Sequence, residues 1–238
     1  MLKLCVIGNP VSHSLSPMLH AEMLEKAGIE GTYETVTVLP EELQNFVKSA
    51  KNGAFDGFNV TMPHKEAIIP LLDELATSAR QMGAVNTVVI RNGRAIGHNT
   101  DGDGLVRSLP KLPRKAAVLG NGGAAKAVSR ALRQNGVEVT ICARHPQPGE
   151  RPWQEMSAAV QNCDLLINAT CLGMLGKDQF SDFAFLNDLP ENSIVYDLVY
   201  NPRETKLLQE AKILCHPTIE GFTLLKSQAE LAFLIFTT

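Results

Sequence analysis

The stretch at 116–127, AAVLGNGGAAKA, constrains this chain more than any other: an apolar run stops at Gly120, glycines return at 122 and 123, and an alanine-rich helical pattern starts at once. Read as G-x-G-x-x-A, it lets the backbone turn tightly and approach a pyrophosphate, whose charge meets the free N–H groups of the helix start. A short glycine motif also occurs as a purely structural turn. The strand before it and the helix after it supply the context that the dinucleotide reading requires.

The identity of the nucleotide follows from the end of the next strand. In NAD-binding turns an acid about 20 residues on takes the ribose hydroxyls. Here the strand VEVTICA ends in Arg144-His145, with no Asp or Glu. A guanidinium suits a 2′-phosphate that an acid would repel, so the pattern favours NADP over NAD. The plainer alternative is an exposed arginine at a strand end.

Around this motif the chain alternates β and α patterns. Lys3–Ile7 reads as a strand, and Ser16-Pro17 opens a helix with Ser16 as hydroxyl N-cap and a stop at Gly28. TYETVTV at 32–38 is strand-like, Leu43, Phe46, Val47 and Ala50 mark a helix face, and Phe58–Thr61 is a short strand. Helical patterns flank Pro70 up to Met82. NTVVI and RAIGHN flank Asn92-Gly93, a hairpin signal. Asp101–Pro113 has the character of a boundary. Beyond it come a strand at 116–119, a helix at 124–135, strands at 137–143, 164–169 and 193–198, and a helix between the middle two, which is a doubly wound rhythm.

With 238 residues, 45% of them hydrophobic, the chain can bury one large core or two smaller ones. Twenty-two Lys and Arg against 25 Asp and Glu give a net charge of −3 with no basic run, which argues against nucleic acid. The five cysteines are scattered without a CxxC, and the histidines at 13, 20, 64 and 98 form no HxxxH pair. No metal site is expected, and reduced thiols point to the cytoplasm. The apolar run at 4–7 is too short for a signal peptide, and nothing approaches the ~20 residues of a membrane span.

In the N-terminal half, Ser14, Ser16, Asn59, Thr61, Lys65, Asn86, Asn99 and Asp101 all fall at predicted strand ends. Ligands of open α/β sheets bind outside the carboxyl ends of strands, and hydroxyls and amides suit a small polyhydroxylated molecule. Each residue alone also has a bland reading as a cap, turn or solvated residue. Their joint placement has none.

With these residues in view, the chain resembles the shikimate dehydrogenase family, through GNPVSHSLSPMLH, FNVTMPHKE, GAVNTVV, GHNTDG, GNGGAAKA, INAT, YDLVYNP with Thr205, and EGFTLLKSQAELAF, in order. The resemblance implies an α/β enzyme of two domains that interconverts 3-dehydroshikimate and shikimate with NADP. A substrate domain with a mixed sheet would comprise 1–101, completed by 221–238. A Rossmann-like, doubly wound dinucleotide-binding domain would span 102–220. The active site would lie in the cleft between them, with a swing of the domains gating closure.

Carried over residue by residue, the resemblance makes Ser14 and Ser16 ligands of the substrate carboxylate. Thr61, Asn86, Asp101 and Gln228 would hold ring hydroxyls, and Lys65 with Asp101 would form the catalytic pair. Tyr200 would line the substrate side near the nicotinamide, and Leu198 and Gly221 its cofactor side. Gly120, Asn121, Gly122, Gly123 and Ala124 would form the diphosphate loop, with Arg144 at the 2′-phosphate. The family's Asn-Arg-Thr at that strand end is Ala143-Arg144-His145 here, and the second arginine of the following loop is missing. Relatives continue beyond the position of Thr238, which implies altered bracing of the domains, or fusion to or association with another shikimate-pathway domain. Two alternatives stand beside this reading: a quinate/shikimate dehydrogenase using NAD, and a non-catalytic shikimate-binding paralogue.

Overall fold

Two six-stranded sheets organise the computed structural model, which describes residues Met1–Thr238. The chain divides into two units, one of Met1–Gly104 with Lys226–Thr238 and one of Leu105–Leu225.

In the first unit β1 (Leu2–Gly8) is an interior strand, one place in from the edge, and Leu4, Cys5, Val6 and Ile7 are all buried, as a strand covered on both faces requires. It pairs in parallel with β2 (Gly31–Thr37) and β3 (Gly57–Val60). β5 (Thr87–Arg91) runs antiparallel to both β3 and β6 (Arg94–His98), so the sheet is mixed. Asn92 and Gly93 join β5 to β6 with φ of 52° and 72°, the left-handed pair of a type I′ two-residue hairpin. Helix α1 (Ser16–Ala27) ends at Gly28 in the left-handed conformation, and α2 (Leu43–Ser49) buries Leu43 and Val47.

Two local expectations are corrected. Ser16 is the first helical residue and not the N-cap: Leu15 holds that position, and no side chain caps the helix. The Leu19 N–H is taken by the Leu15 carbonyl at 3.2 Å, so the serine hydroxyl is not needed there. The helical reading around Pro70 breaks into α3 (His64–Ala67), a 3₁₀ turn at Ile69–Leu71, a two-residue strand β4 (Glu74–Leu75) and α4 (Thr77–Met82). β4 joins the sheet beside β6 because Asp73 ties it there, its N–H to the Ala95 carbonyl and its carboxylate accepting from the Ala95 N–H at 2.7 Å.

His20 of α1 is 1% exposed and stacks on Tyr33, with ring centroids 4.1 Å apart. Burial pushes its pKa down to about 3. The folded state therefore keeps it neutral while the unfolded chain takes up a proton near pH 6.5. The stability it supports is present above pH 6.5 and is lost as pH falls toward 3. His20→Phe should flatten the fall in urea-derived stability between pH 6.5 and 5 by up to about 1.4 kcal/mol per pH unit. A slope equal to the parent's would remove His20 as the sensor.

The second unit is parallel throughout. Its strands are β7 (Lys115–Leu119), β8 (Glu138–Ala143), β9 (Arg151–Pro152), β10 (Leu165–Asn168), β11 (Ile194–Asp197) and β12 (Thr218–Ile219). From β7 the sheet grows through β8 to β9 on one side and through β10 and β11 to β12 on the other. This is the doubly wound arrangement, with its switch point beside β7. Alternate residues of β7 serve opposite cores. Ala116 and Val118 pack with Val128, Ala131 and Leu132 of helix α6 (Gly123–Gln134), whereas Ala117 and Leu119 pack with Val160, Leu186 and Leu208. Val160 ends helix α7 (Met156–Val160), and Leu208 belongs to α8 (Lys206–Ile213).

The chain leaves the first unit within α5 (Asp101–Ser108) and returns to it within α9 (Gly221–Thr237). No helix is long and apolar enough to cross a membrane.

Candidate active site

In the first unit β1 and β3 are parallel neighbours, so the loops carrying Ser14 and Ser16 and those carrying Thr61 and Lys65 leave the same edge of the sheet. β5 is antiparallel and starts at that edge, where Thr87 faces Asn59 on one side and His98 on the other. Asn86, Asn99 and Asp101 therefore arrive there as well. Topology, not sequence proximity, assembles the cluster.

Lys65 follows His64, whose buried ring is fixed by a 2.7 Å hydrogen bond between Nε2 and the Val38 carbonyl. With the start of α3 anchored in this way, the Lys65 Nζ donates to Asp101 Oδ2 at 2.6 Å. The other oxygen, Oδ1, accepts from Asn86 Nδ2 at 2.9 Å. Asn86 is itself held by Thr100, through Nδ2 to the hydroxyl at 2.9 Å and Oδ1 from the N–H at 2.8 Å. Gln228 of α9 brings Oε1 to 3.5 Å from both Asn86 Nδ2 and the Thr100 hydroxyl.

The side chains of Lys65 and Asp101 keep 34% and 21% exposure. That leaves the ammonium open to a ligand while three further side chains fix the carboxylate and its amide partner. Ser14 Oγ accepts from the Ser16 N–H at 3.2 Å, which joins the two serines to each other. Ser16 is buried beside Tyr33, whose hydroxyl donates to Asn59 Oδ1 at 2.7 Å, and Asn59 Nδ2 donates in turn to the Asn86 carbonyl at 3.0 Å. Thr61 is half-buried, its N–H donating to the Ile7 carbonyl at 2.9 Å.

In the second unit β7 runs into Gly120, whose φ of 100° and whose approach to Thr170, 2.9 Å from an added Cβ, exclude a side chain. At Gly122 and Gly123 an added Cβ would meet nothing within 4 Å. The space in front of α6 is therefore an open cradle. No side chain caps this helix and no acid stands in its first turn, so its N–H groups can meet an anion. The cradle fits a diphosphate.

Arg144, just past β8, is exposed and makes no ion pair. The Asn121 side chain is engaged elsewhere, Nδ2 donating to the His145 carbonyl at 2.9 Å and to Glu150 Oε2 at 2.8 Å, so its backbone is what the turn offers. Gly221 lies against the end of β11, where an added Cβ would sit 2.5 Å from the Leu198 carbonyl oxygen. Tyr200, two residues beyond Leu198, is half-buried.

Sequence reasoning missed the polar network behind this edge. Asp197 is fully buried, Oδ1 accepting from Asn168 Nδ2 at 2.9 Å and from the Val199 N–H at 3.0 Å, and Oδ2 accepting from the Thr205 hydroxyl at 2.6 Å. Burial outweighs these bonds and raises the Asp197 pKa above the ordinary carboxylate value. Asn168 in turn accepts from the N–H and hydroxyl of Thr170. The available signal was that LLIN and IVYD, otherwise apolar strands, each end in one polar residue.

Fold and site together define a class: an α/β chain joining a Rossmann-type parallel sheet with an open glycine turn to a mixed-sheet unit with a polar cluster at its carboxyl edge. Residues 6–88 match the model of the shikimate dehydrogenase substrate binding domain. An NADP(+) shikimate dehydrogenase of Shouchella clausii is 37% identical over 249 residues, covering 95% of this chain and 90% of that one. The solved shikimate 5-dehydrogenase of Thermus thermophilus in complex with NADP(H) and shikimate is 37% identical, with a TM-score of 0.90 and coverage of 100% and 94%. A solved chorismate mutase/shikimate 5-dehydrogenase fusion protein of Clostridium acetobutylicum is 30% identical, with a TM-score of 0.91 and coverage of 100% and 91%. The chain belongs to the shikimate dehydrogenase family.

Proposed function

We propose that the chain catalyses the reversible, NADP-dependent reduction of 3-dehydroshikimate to shikimate, a step toward chorismate and the aromatic amino acids. The observation that carries this reading is the partly open Lys65–Asp101 pair, 2.6 Å apart and braced by Asn86 and Thr100, in a chain of this family. The first unit then binds substrate and the second the dinucleotide.

When bound, NADP supplies the hydride donor or acceptor; Gly120, Asn121, Gly122, Gly123 and Ala124 hold its diphosphate, Arg144 its 2′-phosphate, and Leu198 and Gly221 its nicotinamide end. Lys65 does the proton work. In reduction the substrate carbonyl carbon gains a hydride and its oxygen becomes an alkoxide, which Lys65 stabilises with its charge and then protonates from Nζ. In oxidation the same nitrogen receives the hydroxyl proton. Asp101 turns one oxygen to Lys65 and keeps the other on Asn86, fixing the ammonium against the reacting oxygen. Thr61, Asn86 and Gln228 hold the ring hydroxyls, and Ser14 and Ser16 take the carboxylate.

NADPH consumption with 3-dehydroshikimate, followed beside NADH, tests the reading. Turnover with NADPH is expected, and none with either nucleotide at high enzyme concentration would leave a binding paralogue. Ser14→Ala should raise KM for shikimate by about tenfold or more with kcat changed little, since a hydrogen bond to a carboxylate contributes about 1.5 to 3 kcal/mol. An unchanged KM would remove Ser14 from the clamp. The reading places the enzyme in the cytoplasm, supported by five free thiols. The fused relative supports extending it to association with another domain of the same route.

A further inference from the structure

We infer that Glu150 sets how strongly the dinucleotide site discriminates between a 2′-phosphate and a free 2′-hydroxyl; this rests on the dinucleotide reading of the Gly120–Ala124 turn. The sequence has no acid at the end of β8, but the fold brings one back from further along the loop. Glu150 Oε2 accepts from Asn121 Nδ2 at 2.8 Å and from the Gln147 N–H at 2.8 Å. The same Asn121 nitrogen donates to the His145 carbonyl at 2.9 Å. Two oxygens sharing one nitrogen lie within about 6 Å of each other. The carboxylate is therefore beside the backbone that follows Arg144, where the ribose of a bound dinucleotide belongs.

The loop is shaped for this return. Pro146 and Pro148 restrict it, and Gly149 turns it with a φ of 89°. The carboxylate has hydrogen bonds but no cationic partner. Arg144 makes no ion pair, and the adjacent Arg151 pairs with Glu155 at 3.2 Å. A 2′-phosphate held by Arg144 thus also meets an uncompensated negative charge. A 2′-hydroxyl meets only an acceptor oxygen to which it can donate. Arg144 attracts the phosphate, Glu150 opposes it, and the margin between NADP and NAD is smaller than Arg144 alone would set.

Calorimetric titration of the full chain with adenosine 2′,5′-bisphosphate and with adenosine 5′-monophosphate, which differ only in the 2′-phosphate, tests this. Glu150→Gln retains an acceptor oxygen for Asn121 and Gln147 and removes the charge. It should tighten the bisphosphate about five- to tenfold, as expected for charges several ångströms apart at a partly exposed site. Binding of the monophosphate should stay the same or weaken. Glu150→Ala should shift the ratio in the same direction, and Arg144→Ala in the opposite one. Equal changes for both probes, or none, would make Glu150 a loop fastening and overturn the inference while leaving the dinucleotide reading intact. If the parent binds neither probe nor NADP⁺, the dinucleotide reading falls and this inference with it.

Discussion

Lys65→Ala is expected to lower kcat for shikimate oxidation by about 1,000-fold, inside the range of about 100- to 10,000-fold for a positioned acid or base. The reason is geometric. Lys65 Nζ is the one cation held in the cluster, 2.6 Å from a carboxylate whose second oxygen is fixed by Asn86. Without it the developing alkoxide has neither a positive partner nor a proton route. Melting should move by no more than about 4 °C, because a pair this accessible contributes only about 0 to 1 kcal/mol. Asp101→Asn should cost about 100-fold, and the double variant about as much as Lys65→Ala alone, since the two act as a unit. A Lys65→Ala enzyme within about threefold of the parent kcat would remove the lysine from the chemistry.

Asp197→Ala should be the most damaging single change to stability, at about 3 kcal/mol, with the first unfolding transition lowered by roughly 6 to 12 °C. It strands three donors that now share one fully buried carboxylate, from Asn168, Val199 and Thr205. Thr205 also caps α8, so the damage spreads from the ends of β10 and β11 into that helix. Asp197→Asn keeps an acceptor oxygen and should cost less. The raised carboxyl pKa fixes the sign of its pH dependence. Its contribution to stability is fully present below the unfolded value of about 3.8 and is lost as pH rises through the higher native value. Asp197→Asn should lack that decline. A melting point within about 2 °C of the parent for Asp197→Ala would contradict the role given to the network.

The features legible in the sequence are those with a local physical signature. The glycine turn after β7 announced itself because the strand, the turn and the helix follow one another. Asn92-Gly93 did so because both residues tolerate the left-handed region that a type I′ hairpin turn places at its two central positions. The two-residue strands β4, β9 and β12 carried no such signal, since alternation needs several residues to show and their pairing depends on distant partners. Asp73 finding Ala95 is one example. A Ser-Pro pair fits either of two adjacent positions at a helix start, and the Leu15 carbonyl, taken by the Leu19 N–H, decides against Ser16 as the cap.

In the site, the resemblance alone implies the pairing of Lys65 with Asp101, whereas their contact comes from the reversal of β5 between β3 and β6. Thr100 was missed because its role depends on its facing Asn86, which no spacing reveals. Glu150 was invisible for a stronger reason. The rule looks for an acid at the strand end, and this one arrives from the far side of a Pro- and Gly-rich loop to bond with the glycine turn.

The most direct measurement is deuterium transfer. NADPH carrying deuterium at the transferable position of the nicotinamide is incubated with 3-dehydroshikimate and the parent enzyme, and the product is analysed by mass spectrometry and NMR. The account predicts shikimate bearing one deuterium, on the carbon whose hydroxyl was formed, at a rate that collapses in Lys65→Ala. Unlabelled shikimate, or no shikimate from a chain that binds both molecules, would contradict it.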